Sequence, residues 1–99
     1  MLGIILIKFV FVIELTHIKE VIAQAGLKVT QQRLVILKFV LESKQHPTTE
    51  MVFEALRDTN PTLSLGTVYK TLETFIEKGL LSKVSTRGGE MRFEGNLEP

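Results

Sequence analysis

The sequence predicts a mainly α-helical domain closed by a small β hairpin, and three observations carry that prediction. Apolar residues recur every three or four positions through most of the chain. Capping hydroxyls and helix-ending glycines punctuate this periodicity. Period-two alternation enters only near the end, in LLSKVST and EMRFE, which flank the turn signal Arg87-Gly88-Gly89. A chain of 99 residues suffices for one compact domain with a modest core.

Leu15, Ile18, Val21, Ile22 and Ala25 lie at helical spacing, and Gly26 follows where a glycine ends a helix. Thr30 is a good N-cap for the second helix, whose run from Leu34 to Leu41 is apolar on almost every side. A helix of that kind belongs at the centre of a bundle, and this one is expected to end near Ser43. KQHPTTE reads as a turn: Pro47 disfavours helical geometry at His46, and Thr48 can cap a third helix whose positive end Glu50 favours. That helix is expected to turn Val52, Ala55 and Leu56 inward and to fade at Asn60-Pro61. Ser64 caps the fourth helix, which points Leu65, Val68, Leu72, Phe75 and Ile76 at the core and closes at Gly79.

The opening run, MLGIILIKFVFVI, is treated apart, as a hydrophobic N-terminal arm over 1–13 preceding a domain over 14–99. Glu14 stops it well short of the roughly 20 apolar residues that a membrane span needs, and Lys8 interrupts it. It lacks the basic start and small-residue cleavage site of a secretory signal. Its β-branched and aromatic content suggests a strand or a sticky arm. Translated upstream sequence, a partner-binding arm and a weak membrane-surface anchor remain open as readings of it.

The formal charge is only +1, so no overall basic field points to nucleic acid. The charge is uneven, however: between Gly26 and Gln45, Lys28, Arg33, Lys38 and Lys44 face Glu42 alone. There is no cysteine, which excludes disulfides, thiolate zinc sites and cysteine nucleophiles and fits a reducing compartment. His17 and His46 stand near no Ser or Asp in a catalytic arrangement, and no phosphate loop or glycine fingerprint is present. An enzyme is not expected.

Helices two to four followed by a two-stranded ribbon are the order of a winged helix-turn-helix. There the second helix of the helix-turn-helix pair enters the DNA major groove and the hairpin touches the flanking backbone. The outward residues of the fourth helix suit that task. Ser64, Thr67 and Thr71 carry hydroxyls for phosphates or base edges, Lys70 can reach a guanine edge or a phosphate, and Tyr69 can pack on a thymine methyl. The start of the helix favours a phosphate near Ser64. The same face is also compatible with plain solvent exposure, and winged helices also serve as protein-interaction modules without sequence-specific DNA binding.

Four stretches, AGLKVTQQRLVIL, HPTTEMVFEAL, LSLGTVYKTLETFIEKGLL and GGEMRFE, together resemble the N-terminal DNA-binding domain of the ferric uptake regulator family. The HPT turn and the RFE ending resemble its peroxide-responsive branch. The resemblance runs from about Thr16 to Pro99 and leaves the opening dozen residues without a counterpart. It implies a cytoplasmic, homodimeric, metal-dependent transcriptional repressor that binds AT-rich inverted repeats in double-stranded DNA. It implies that Tyr69 and Lys70 contact bases and backbone, with Lys70 standing where relatives often carry Arg and so lacking the bidentate fork. It nominates Lys28 for a minor-groove or phosphate contact, which suits the negative potential of a narrow AT-rich groove. Arg33 is either a phosphate anchor or a surface ion-pair partner at the second helix.

The resemblance also nominates His46 and Glu94 as ligands of a regulatory metal, for which imidazole and carboxylate suit Fe(II), Mn(II) or Zn(II). Relatives complete that site with a His-rich segment just beyond this point, then add a cysteine zinc site and a dimerisation domain. Pro99 stands where those histidines would begin. Two ligands are too few for a tight site, so no cofactor is expected of these 99 residues by themselves. Without a dimerisation domain, binding to DNA should be weak and strongly salt dependent.

Overall fold

The computed structural model describes residues 2–85 and 88–96, with residues 8–13 as backbone. Its element order is α1 (Leu2–Gln24), α2 (Gln31–Glu42), α3 (Thr49–Leu56), α4 (Leu65–Glu77), β1 (Leu81–Ser85) and β2 (Met91–Gly95). This is the helix order and terminal ribbon of a winged helix-turn-helix. Arg87 of the expected turn lies outside the described residues.

Hydroxyl caps start three of the helices where the sequence placed them. Thr30 Oγ1 accepts from the Arg33 amide at 3.2 Å, Thr48 Oγ1 from Met51 at 3.2 Å, and Ser64 Oγ from Thr67 at 3.1 Å. Two helix ends use one device. After α1, Gly26 at φ 82° lets its own amide reach the Ala23 carbonyl while Leu27 reaches Ile22. After α4, Gly79 at φ 76° does the same with Ile76, and Leu80 with Phe75. Both close orphan carbonyls in a left-handed turn that suits glycine.

The core gathers on α2, as its all-round apolar surface requires. Leu34, Ile36, Leu37 and Val40 are buried, and Val35, Phe39 and Leu41 pack partly against the same cluster. α1 contributes Ile18 and Ile22, α3 contributes Val52, and α4 contributes Val68, Leu72 and Phe75. The ribbon is antiparallel, with Leu81 opposite Gly95 and Lys83 opposite Phe93. Leu81 and Phe93 turn inward from it. At its base the Asn96 amide donates to the Leu80 carbonyl at 2.9 Å and its side chain to Gly79 at 3.1 Å, fastening the wing to the end of α4.

Three expectations are corrected. The arm over 1–13 is no strand: from Leu2 onward it is the beginning of α1. Strand propensity measures packing on a sheet, and the ribbon β1–β2 offers this segment no pairing. The helix over 15–24 is already nucleated, so propagation adds one hydrogen bond per residue without a new nucleus. Leu2, Ile4, Ile5, Leu6 and Ile7 are all exposed on that extension. Leu65 is not in the core but 43% exposed, because it is the first residue of α4 and lies beyond the packed part of the stripe. Ala55 is exposed as well, while Phe53, passed over in the sequence, packs partly against the core. Among the described residues, no helix is long and apolar enough to cross a membrane.

The Thr48 cap tests this account of α3, since its side chain is buried and the helix has only eight residues. Thr48→Ala should cost about 1–2 kcal/mol in urea unfolding, against a few tenths for the neighbouring Thr49→Ala. Equal effects at the two positions would contradict the assignment.

Candidate nucleic-acid interface

The apolar stripe of α4 fixes which of its residues remain outside. With Val68, Leu72 and Phe75 buried, Ser64, Leu65, Gly66, Tyr69 and Lys70 are exposed, and Thr67 and Thr71 are partly covered. Tyr69 is 56% exposed, too open for a core residue. Among the described residues no carboxylate pairs with Lys70 or Lys28, so both ammonium groups face solvent.

The hydroxyls are less free than the sequence suggested. Ser64 Oγ accepts from the Thr67 amide and donates to Thr67 Oγ1 at 2.9 Å, so it is committed to the cap. Thr67 keeps its own proton for an outside acceptor. Thr74 donates to the Lys70 carbonyl at 3.0 Å. The amides of Leu65 and Gly66 have no acceptor within the helix, which leaves a positive helix end beside Tyr69.

Glu73 places a negative charge on α4 that would oppose a phosphate. Its carboxylate meets Lys83 Nζ of β1 at 3.2 Å, so its charge is compensated by the wing. A half-exposed pair of this kind contributes at most about 1 kcal/mol of stability. Its larger effect is to remove one uncompensated negative charge from the flank of α4.

Lys28 and Arg33 form a unit. Arg33 Nη1 donates to the Lys28 carbonyl at 2.8 Å, tying the loop after α1 to the first turn of α2. Gln32 of the same turn donates to Thr62 Oγ1 at 3.4 Å, two residues before the α4 cap. The Lys28 loop thus sits on the side of α2 that adjoins the start of α4. No carboxylate pairs with Arg33 among the described residues, and its guanidinium has further N–H donors beside the one that holds the Lys28 carbonyl.

A groove of about 610 Å³ opens between the starts of α3 and α4 and the wing, lined in part by Glu50, Leu65, Gly66, Tyr69, Glu90 and Met91. Its apolar wall is Leu65, Tyr69 and Met91, all exposed. This groove is not evident from the sequence, because Leu65 reads as part of the core stripe.

The fold brings His46 and Glu94 together across 48 residues of chain, with Nε2 and Oε2 3.1 Å apart and both side chains about half exposed. Three consecutive residues of β2 hold this turn. Arg92 Nη1 donates to the Gln45 and His46 carbonyls at 3.2 and 3.1 Å, the Phe93 amide donates to Pro47 at 3.0 Å, and Glu94 meets His46 itself. His46 sits at φ 50°, an uncommon conformation for a residue with a side chain, and these contacts hold it there. Sequence reasoning missed Arg92, whose role shows only when its distant carbonyl partners are known. The 3.1 Å separation fits two neighbouring corners around a metal whose bonds are about 2.0–2.2 Å long. Among the described residues, no cluster of three or more His, Cys, Asp or Glu is placed to hold a metal.

Residues 24–99 match the Ferric uptake regulator family. The chain belongs to that family. It is 33% identical over 81 residues to the Peroxide operon regulator of Bacillus subtilis (strain 168), covering 82% of this chain and 56% of that protein. A solved structure of the Vibrio cholerae ferric uptake regulator superposes with a TM-score of 0.70 at 34% identity, covering 81% of this chain and 62% of that one. A zinc-bound manganese uptake regulator gives a TM-score of 0.76 at 28% identity, covering 83% and 62%. This ferric uptake regulator family chain spans about half the length of the curated relatives it matches.

Two donors without a third set the expected metal affinity. Calorimetry with Zn(II) should show only weak binding to this chain, reduced further by His46→Ala. Stoichiometric binding below about 1 μM, abolished by His46→Ala, would show that more ligands converge than this geometry provides.

Proposed function

We propose that this chain supplies sequence-specific DNA binding to a metal-dependent transcriptional repressor, iron or peroxide responsive, that acts on AT-rich inverted repeats in the cytoplasm. The observation that carries the reading is the outward edge of α4. An exposed tyrosine and a lysine unpaired among the described residues lie one turn from an open helix start, on a helix whose opposite face is fully buried. An edge of that width and chemistry suits the major groove, about 12 Å across. Tyr69 and Lys70 then meet bases and backbone, Thr67 and Thr71 offer hydroxyls, and Ser64 orders the helix start against a phosphate. Lys28 reaches the neighbouring minor groove or backbone, held in position by Arg33.

His46 and Glu94 are the two ligands this domain would contribute to a regulatory metal, with the remainder supplied from outside the domain. Such an ion would be the Lewis-acidic clamp that fastens the turn before α3 to β2. The chain's own residues prepare that contact, because Arg92 and Phe93 hold the His46 turn against β2. Pairing of two copies would match the two halves of an inverted repeat, and relatives extend well past the length seen here.

Fluorescence titration against an AT-rich inverted repeat and a scrambled duplex tests the reading. The repeat should bind more tightly, and Tyr69→Ala together with Lys70→Ala should remove on the order of 1–3 kcal/mol of that preference. Lys28→Ala should instead weaken binding to both duplexes and lower the salt slope by about one. Equal, weak binding to both duplexes that ignores Tyr69 and Lys70 would favour a protein-interaction module.

A further inference from the structure

We propose that the apolar start of α1 docks into the groove between α1, α2 and the end of α3 of a second copy of this chain, the two copies exchanging these segments about a two-fold axis. This pairing is independent of the DNA-reading role of α4.

α1 has 23 residues and is therefore about 34 Å long. Its described contacts with the core come from Leu15, Ile18, Val21 and Ile22, all in its second half. Leu2, Ile4, Ile5, Leu6 and Ile7 precede them, each more than half exposed. The molecule measures 47 Å along one axis against 28 Å along the other two. It exposes 6790 Å², where a compact monomer of 11.2 kDa exposes about 5,700 Å². The excess of roughly 1,100 Å² per copy exceeds the ~800 Å² that each partner buries in a standard stable interface. One further copy is enough to cover it.

Ile4 to Ile7 are four consecutive apolar residues, and at about 100° per residue they occupy the whole circumference of the helix. A flat partner would cover one side only, so this segment needs a groove. Lipid fits it poorly. A helix lying in a membrane surface keeps one polar face, which residues 4–7 lack. A helix entering hydrocarbon end-on would strand the unpaired amides of its first turn there.

A groove of about 460 Å³ lies alongside α1, with Leu15, Val35, Phe39 and Leu56 in its walls and the exposed Lys19 at its edge. Ile4, Ile7, Leu15, Ile18 and Ile22 fall within about 80° of one another around α1, so groove and overhang share one apolar track. α1 is a single unbroken helix and cannot turn its start back into its own groove. A second copy laid antiparallel along the track brings its start to that place. Two-fold symmetry seats the first copy's start in the second copy's groove, so one self-complementary contact covers both apolar surfaces.

Sedimentation of the full chain at about 100 μM should give a particle of twice the monomer mass, since interfaces of this size have micromolar to picomolar affinities. Ile4→Glu combined with Ile7→Glu should sediment as a monomer at the same concentration with its helical circular dichroism retained, because neither residue belongs to the core. The chain has no cysteine, so introduced thiols report position directly. Oxidation should link Ile4→Cys copies to Lys19→Cys copies in a mixture, whereas Ile4→Cys alone should form no dimer. A monomeric wild type, a dimer that survives the two glutamates, or Ile4→Cys linking to itself and not to Lys19→Cys would each overturn the exchange. Monomers that co-sediment with phosphatidylglycerol vesicles would assign the segment to lipid and overturn it as well.

Discussion

Burial of Val68, Leu72 and Phe75 is the constraint on which the rest of the structure depends, because it fixes the rotation of α4 about its own axis. All three are fully buried. Each such side chain contributes roughly 1.5–3 kcal/mol when taken from water, so together they approach the stability of a whole small domain. Turning α4 by one residue would swing the stripe through about 100° and forfeit most of that gain. Tyr69 and Lys70 therefore face outward as a consequence of packing. α2 makes this possible by being apolar on nearly every side, so that it can meet α1, α3, α4 and the wing at once.

Much of this was legible in the sequence wherever the deciding chemistry is local. The caps at Thr30, Thr48 and Ser64 and the stops at Gly26 and Gly79 each depend on atoms within a turn or so. The misreadings share the opposite property. Leu65 continues the apolar period but lies one step beyond the part of α4 that has a neighbour to pack on. The opening segment carries strand-forming side chains, yet what a strand needs is a partner, and no sheet of sufficient extent is present among the described residues. Arg92 looked like one charge among several until the fold brought the Gln45 and His46 carbonyls to it.

The approach of His46 to Glu94 has the same non-local origin, and it connects two parts of the domain with different tasks. β2 grips the turn that leads into α3, and the wing in turn is fastened to α4 by Asn96 and by the Lys83–Glu73 pair. A charge or ligand acting at His46 and Glu94 thus acts on the joint between the helix-turn-helix and its wing. The two groups are half exposed, whereas the backbone that carries His46 is held by Arg92 and Phe93.

The central claim is that DNA meets the outward edge of α4 and the Lys28 loop. Backbone amide shifts recorded by NMR while an AT-rich duplex is added test it most directly. The account predicts that the largest changes fall on residues 64–71 and around Lys28, with the α1 residues from Leu15 to Gln24 little affected. Changes centred on α1, with residues 64–71 unmoved at saturation, would contradict it.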